Sequence, residues 1–199
     1  MKYNVVVVGG GIVGLATAYQ LLKKKPGLTL ALVEKETVIC KHQTGNNSGV
    51  IHSGLYYKPG SLKARNCISG YQMLLDFCDQ ESVPYELCGK VVVATDDFQK
   101  PLLENLYNRG LENGLNQISR LSMEELKEIE PHVNGIAAIK VPYTGIIDYT
   151  AVAEKYAEKI KSFGGEIFLG EKVLDIKKSN GDSIVETTKQ SLETDLVIN

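Results

Sequence analysis

Apolar positions along the chain fall into runs whose period changes from segment to segment. Val5 to Val8 is an unbroken β-branched run, the pattern of a strand buried on both faces in a parallel sheet. Leu15, Ala18, Leu21 and Leu22 then recur at helical spacing, and Lys23 to Lys25 with Pro26-Gly27 close that helix. Leu28 to Val33 reads as a second apolar strand. Pro59 and Ser61 open another helix, with Leu62, Cys67, Ile68, Tyr71, Leu74, Leu75 and Cys78 on its apolar side, fading by Ser82-Val83-Pro84. The order β-α-β-loop-α is that of a mononucleotide-binding half.

From about residue 84 the character shifts. Leu87 to Thr95 predicts a strand, and Asp97 to Asn113 a helix with Leu102, Leu103, Leu106 and Leu111 as its stripe. Ser122-x-x-Glu125 is a capping-box pattern opening a short helix that ends near Pro131. Ile136 to Pro142 and Gly145 to Asp148 predict two strands about a turn. A helix from Tyr149 buries Val152, Tyr156, Ala157, Ile160 and Phe163 and stops at Gly164-Gly165. Strands at Glu166 to Leu169, Val173 to Lys177, Ile184 to Thr188 and Leu196 to Asn199 complete the series, with Asn180-Gly181-Asp182 as a hairpin turn. The expected architecture is an α/β nucleotide-binding domain formed by residues 1–83 and 148–199, interrupted by an α+β substrate-domain segment over 84–147. The last strand stops without a turn or closing helix, so the sequence is expected to be part of a longer one.

The chemistry concentrates after the first strand. Gly9-Gly10-Gly11-Ile12-Val13-Gly14 is a G-x-G-x-x-G, and Glu34 stands at the end of the second strand, twenty residues beyond Gly14. Gly9 permits the tight turn, Gly11 leaves the backbone open to a pyrophosphate, and Gly14 lets helix and strand pack closely. Phosphates would sit at the helix N-terminus, among free N–H groups and the positive end of the dipole. Glu34 can accept hydrogen bonds from ribose hydroxyls and would repel a 2′-phosphate. With strand, helix, second strand and acid in register, the motif points to a dinucleotide; alone it could be a glycine-rich turn of another α/β protein. His42 to Gly49 is dense in hydroxyls, amides and backbone N–H groups, and suits an anion cradle or a solvated loop.

Bulk properties narrow the class. At 43% apolar and 23% charged residues the chain is an ordinary globular protein, and a net charge of −2 argues against nucleic acid as a partner. No stretch has the roughly 18 apolar residues of a membrane span, and with the first strand starting so early no leader is expected. Cys40, Cys67, Cys78 and Cys88 form no C-x-x-C pair and read as reduced thiols of a cytoplasmic protein. The three histidines, His42, His52 and His132, lack metal-ligand spacing, so no metal site is expected.

Together, the glycine motif with Glu34-Lys35 and the string His42-Gln43-Thr44-Gly45-Asn46-Asn47-Ser48-Gly49-Val50-Ile51-His52-Ser53-Gly54 resemble the glutathione-reductase-type, Rossmann-like FAD-binding domain of the D-amino-acid oxidase superfamily. The continuation Leu55 to Ala64, with Cys88-Gly89-Lys90 and Glu130-Pro131, resembles L-2-hydroxyglutarate oxidases and dehydrogenases, over about the N-terminal half of such an enzyme. The resemblance implies FAD rather than NAD. Gly9, Gly11, Ile12, Val13 and Gly14 would hold the pyrophosphate, Glu34 the adenosine ribose, and Lys35 would lie beside the adenosine. Thr44, Asn47 and Ser48 would reach phosphate and ribityl oxygens, Gly49 and Val50 would run under the flavin, and the Val173 backbone would meet the adenine edge.

The implied reaction is two-electron oxidation of a 2-hydroxy acid to a 2-oxo acid, with oxygen or a quinone as electron acceptor, in the cytoplasm or at the periphery of the inner membrane. His52 is the candidate base, because an imidazole titrates near neutrality; a core or cofactor-packing histidine is the plainer reading. Tyr56 and Tyr57 could orient a carboxylate. Arg65, Arg109 and Arg120 are the only arginines, and surface roles suit them better than a dicarboxylate clamp. The competing readings are an amine or amino-acid oxidase of the same superfamily, an NAD(P)-dependent dehydrogenase, and a fragment that binds FAD without catalysis.

Overall fold

A computed structural model describes residues 2–179 and 181–199, and their packing divides into two units. The first comprises the chain up to Ser48 together with Asp148–Asn199; the second is Gly49–Ile147. The expected division at 83/84 and this one at 48/49 differ over residues 49–83. The chain opens with β1 (Lys2–Val8), α1 (Ile12–Lys24) and β2 (Leu30–Glu34). The second unit follows as β3 (Val50–Ile51), α2 (Leu62–Glu81), β4 (Tyr85–Glu86), β5 (Lys90–Ala94), α3 (Gln99–Glu112), β6 (Ser119–Leu121), α4 (Met123–Ile129), β7 (Ala137–Val141) and β8 (Gly145–Ile147). The first unit resumes with α5 (Tyr149–Ser162), β9 (Glu166–Leu169), β10 (Val173–Ser179), β11 (Asp182–Thr187) and β12 (Ser191–Ile198).

In the first unit six strands form one sheet in the order β10-β11-β12-β1-β2-β9. The run β12-β1-β2-β9 is parallel and β10-β11-β12 antiparallel, so β12 belongs to both halves. The β-branched run of β1 is central for the reason its composition suggests: Val6 pairs with Val197 on one side and Ala31 on the other, with no exposed surface. Leu15, Ala18 and Leu22 of α1 and Val152, Ala153 and Ile160 of α5 are buried, and Tyr19 stacks on Tyr156 at 5.3 Å. A further cluster joins Tyr3, Val6, Ala31 and Val33 to Val185 and Leu192. The hairpin expected at Asn180-Gly181-Asp182 involves Asn180, which lies outside the described residues; β10 and β11 do pair antiparallel.

The second unit holds two small sheets, β3-β8-β4 and β5-β7-β6, both antiparallel. Its core gathers Leu55, Ala94, Leu103, Leu115, Ile118, Ile139 and Val141. The capping box forms as expected, with Ser122 Oγ accepting from Glu125 N–H and the Glu125 carboxylate accepting from Ser122 N–H at 2.7 Å. Three expectations change. The expected strand Leu87–Thr95 narrows to β5, and β6 is an additional strand, because Ser119-Arg120-Leu121 is a short edge with no apolar alternation to announce it. Of the expected stripe on α3, Leu103 is buried and Leu106 half-buried, whereas Leu102 and Leu111 are exposed. Helix α2 buries Ala64, Leu75, Phe77 and Cys78 but leaves Leu62, Ile68 and Met73 exposed.

Two measurements test this packing. Leu15 is wholly buried, so Leu15→Ala should lower unfolding free energy by about 2–5 kcal/mol in urea titration. The Tyr3 hydroxyl donates to Glu166 Oε1 at 2.8 Å, and burial, then this bond, push its phenol up to about 12 from 10.0. The unfolded chain loses that proton first, so stability should fall as pH rises between these two values. Tyr3→Phe should remove that part of the alkaline slope.

Candidate cofactor site

At the end of β1 the chain reverses through Gly9, whose φ of +109° only glycine adopts without strain. Gly9 N–H donates to Val33 O at 2.8 Å, which ties the turn to β2. Gly11 then precedes α1 with no side chain to cap it. A Cβ on Gly14 would collide with the Gly9 carbonyl oxygen, so glycine here lets the helix start directly against the strand end. Ile12 N–H is accepted by Thr44 Oγ1 at 3.0 Å, while the N–H groups of Val13 and Gly14 have no partner among the described residues. Val13 is 78% exposed at this helix start.

Glu34 reaches back into the same turn. It is 8% exposed, and its Oε2 accepts Gly10 N–H at 2.6 Å while Oε1 accepts Glu36 N–H at 2.8 Å. These two backbone donors aim the carboxylate and leave each oxygen a lone pair for a further donor. Gly10, absent from the expected set, shapes the same turn. Its N–H orients Glu34, and a Cβ there would stand 3.0 Å from Glu34 Cβ and Cγ. The signal for it in the sequence is the run of three consecutive glycines, one more than the turn and the phosphate approach require.

The loop after β2 closes over this turn. Thr44 is buried in a 3-10 turn, Gln43–Gly45, and its carbonyl accepts the Asn47 side-chain amide. Cys40 N–H donates to Gly10 O at 3.1 Å, with the Cys40 φ at +62°. Glu36 pairs with His42 at 2.9 Å and Lys41 at 3.3 Å, which hold its carboxyl below the usual range, His42 most strongly. Lys35, Asn47 and Ser48 are exposed. Val173 pairs with Thr187 beside a bulge at the start of β10, and nearby Glu171 N–H donates to Glu34 O at 2.9 Å. Gly9, Gly11, Ile12, Val13, Gly14, Glu34 and Thr44 are thus gathered at one turn.

Gly49, Val50 and His52 belong to the second unit. Gly49 takes φ +65° and its carbonyl accepts Ile147 N–H at 2.8 Å; Val50 lies opposite Ile146. His52 is exposed, and its carbonyl accepts from Cys67 Sγ at 3.4 Å. Arg109 is exposed, as expected, and its Nη1 also donates to Tyr56 O at 3.0 Å, so it holds a loop. Arg120 is engaged by Glu104 and lies over the Tyr107 ring at 3.8 Å. It borders a cavity of about 500 Å³ with Lys100, Leu103, Ser122 and Ile139, which none of the expected cofactor residues lines. Among the described residues no three His, Cys, Asp or Glu side chains converge as metal ligands.

A parallel sheet with a glycine turn and a buried acid at the next strand end defines a dinucleotide-binding α/β protein. The chain belongs to the FAD dependent oxidoreductase family, which residues 4–199 match. It is 56% identical over all 199 residues to L-2-hydroxyglutarate dehydrogenase of Indibacter alkaliphilus, covering 50% of that protein. It is 44% identical to the mitochondrial L-2-hydroxyglutarate dehydrogenase of Bos taurus, over 88% of this chain and 38% of that one. The chain therefore spans about half the length of the curated relatives it matches. Among solved structures, FAD-bound L-α-glycerophosphate oxidase of Mycoplasma pneumoniae superposes with a TM-score of 0.90 at 29% identity, over 99% of this chain and 53% of that one. L-Proline dehydrogenase of P. horikoshii shares the fold, with a TM-score of 0.87 at 23% identity over 98% of this chain and 52% of that one.

The residues fit FAD. A Cβ at Gly9 would meet nothing within 4 Å, so space is open beside the turn, and free helix N–H groups and an acceptor for ribose hydroxyls adjoin it. Replacing Glu34 by alanine should weaken FAD binding about tenfold to a hundredfold, as loss of a charged hydrogen bond does, in a flavin fluorescence titration. Unchanged affinity would remove Glu34 from the site.

Proposed function

We propose that the chain is the FAD-binding half of an enzyme that oxidises a 2-hydroxy acid, L-2-hydroxyglutarate, to its 2-oxo acid. The observation that carries this reading is the 56% identity, along the whole chain, to L-2-hydroxyglutarate dehydrogenase of Indibacter alkaliphilus. When bound, FAD would supply the two-electron oxidising chemistry, with flavin N5 as the hydride-accepting position for substrate C2. The chain's own residues do the rest. The free N–H groups at the start of α1 take the pyrophosphate, and Glu34 orients the adenosine ribose. Lys35 flanks the adenosine, and the Val173 backbone meets the adenine edge. Thr44, Asn47 and Ser48 reach phosphate and ribityl oxygens, while Gly49 and Val50 line the flavin.

His52 accepts the hydroxyl proton at an imidazole nitrogen as the C2–H bond breaks, so the 2-oxo product forms without an alkoxide intermediate. Its exposure leaves the ring open to a substrate. Electrons leave for oxygen or a quinone, and the enzyme works in the cytoplasm or beside the inner membrane. No helix among the described residues is long and apolar enough to cross a membrane.

The test is an absorbance spectrum of the FAD-loaded chain under anaerobic conditions, before and after addition of L-2-hydroxyglutarate. Bleaching of the oxidised flavin bands, absent with D-2-hydroxyglutarate and with His52→Ala, is the expected result. Flavin that stays oxidised here but bleaches in a full-length relative would mark this chain as a binding portion only. Failure to retain FAD would overturn the cofactor assignment.

A further inference from the structure

The loop that carries His52 is gripped by one buried amide. Asn113 ends α3, where its own N–H donates to Arg109 O at 3.0 Å and Gly110 O at 3.1 Å. Its side chain points away from the helix and is 7% exposed as a residue. Both amide hydrogens are used on the loop: Nδ2 donates to Gly54 O at 3.1 Å and to Tyr57 O at 2.9 Å. Tyr57 N–H in turn donates to Gly54 O at 3.2 Å, closing the turn that the amide spans. Arg109, one helical turn earlier, donates to Tyr56 O at 3.0 Å. Lys90 Nζ lies 4.4 Å from the Tyr56 ring centroid and Leu55 fills the core at 1% exposure. Four consecutive residues beginning at Gly54 are therefore held by α3, β5 and the core.

The segment held is one that would not settle there unaided. Ser53, between His52 and the gripped turn, buries its hydroxyl with no partner among the described residues. With that hydroxyl unpaired, the conformation of the loop rests on the contacts its neighbours make. Asparagine is suited to imposing it. One planar group gives two donors to two carbonyls, and the same residue ends a helix before Gly114 at φ +85°.

We propose that Asn113 is a positioning residue for the reaction. It fixes the Gly54–Tyr57 turn and, through Ser53, the direction of the His52 imidazole. This rests on the role given to His52 above. Asn113 touches neither substrate nor cofactor, and its effect is exerted through the loop.

The experiment uses the FAD-loaded chain and two variants. Asn113→Ala removes both donors. Asn113→Asp keeps the shape, but burial and two facing carbonyls raise its carboxyl. Protonated, it returns one hydrogen bond; ionised, it repels both carbonyls. Amide exchange is followed at Tyr57 in the loop and at Ile139 and Val141 in the core of the same unit, together with the rate of flavin reduction by L-2-hydroxyglutarate. In Asn113→Ala, Tyr57 should exchange about tenfold faster or more while the core amides stay within about twofold, and reduction should slow about tenfold or more with little change in substrate KM. Asn113→Asp should lie between wild type and Asn113→Ala near pH 5, and should be at least as impaired as Asn113→Ala near pH 9, a profile that simple loss of packing does not give.

Equal acceleration of all three amides, no change at Tyr57, or a loosened loop with an undiminished reduction rate would each overturn the proposal. If His52→Ala reduces flavin as wild type does, the function reading of His52 fails instead, and the exchange data still report the grip.

Discussion

The bond from Gly10 N–H to the Glu34 carboxylate is the constraint on which the first unit depends. A carboxylate at 8% exposure loses most of its hydration, and it is retained only where donors replace water. Here the donors are backbone groups of the glycine turn and of the segment leaving β2, so the acid defines both. From Glu36 the network continues to His42 and Lys41, hence to the loop that places Thr44 against Ile12 N–H. From the Glu34 carbonyl it passes to Glu171 at the β9–β10 connection. One residue at a strand end thus joins three separate stretches of chain: the glycine turn, the segment leaving β2, and the β9–β10 connection.

Parts of this are legible in the sequence because they are local. The β1 turn, the spacing to Glu34 and the Ser122–Glu125 box each follow from residues within one or two elements, where backbone conformation and nearest neighbours decide the outcome. The acid's position follows from strand length, which periodicity reveals.

What the pattern of residues does not reveal depends on partners remote in sequence. Arg109 and Asn113 look like any polar helix end; only their bonds to residues more than 50 positions away show what they hold. Strand β6 exists because β7 offers it an edge, not because Ser119-Arg120-Leu121 prefers to be extended. Helix α2 has apolar residues on several faces, and periodicity cannot say which face a neighbour covers; Leu62 proves 70% exposed. The pairing of Lys2 with Glu193 spans almost the entire chain. Such contacts are set by topology, which local pattern does not carry.

The second unit leaves and returns to the chain through a clasp: Gly49 O accepts Ile147 N–H, and β3 and β8 pair immediately beyond it. The loop closure of nearly a hundred residues is therefore completed by the excursion's own ends. Because closure entropy grows only logarithmically with length, lengthening or shortening the interior of such an excursion alters that term little once the clasp is kept. A segment closed in this way is a natural place for a lineage to exchange parts while the glycine turn stays as it is.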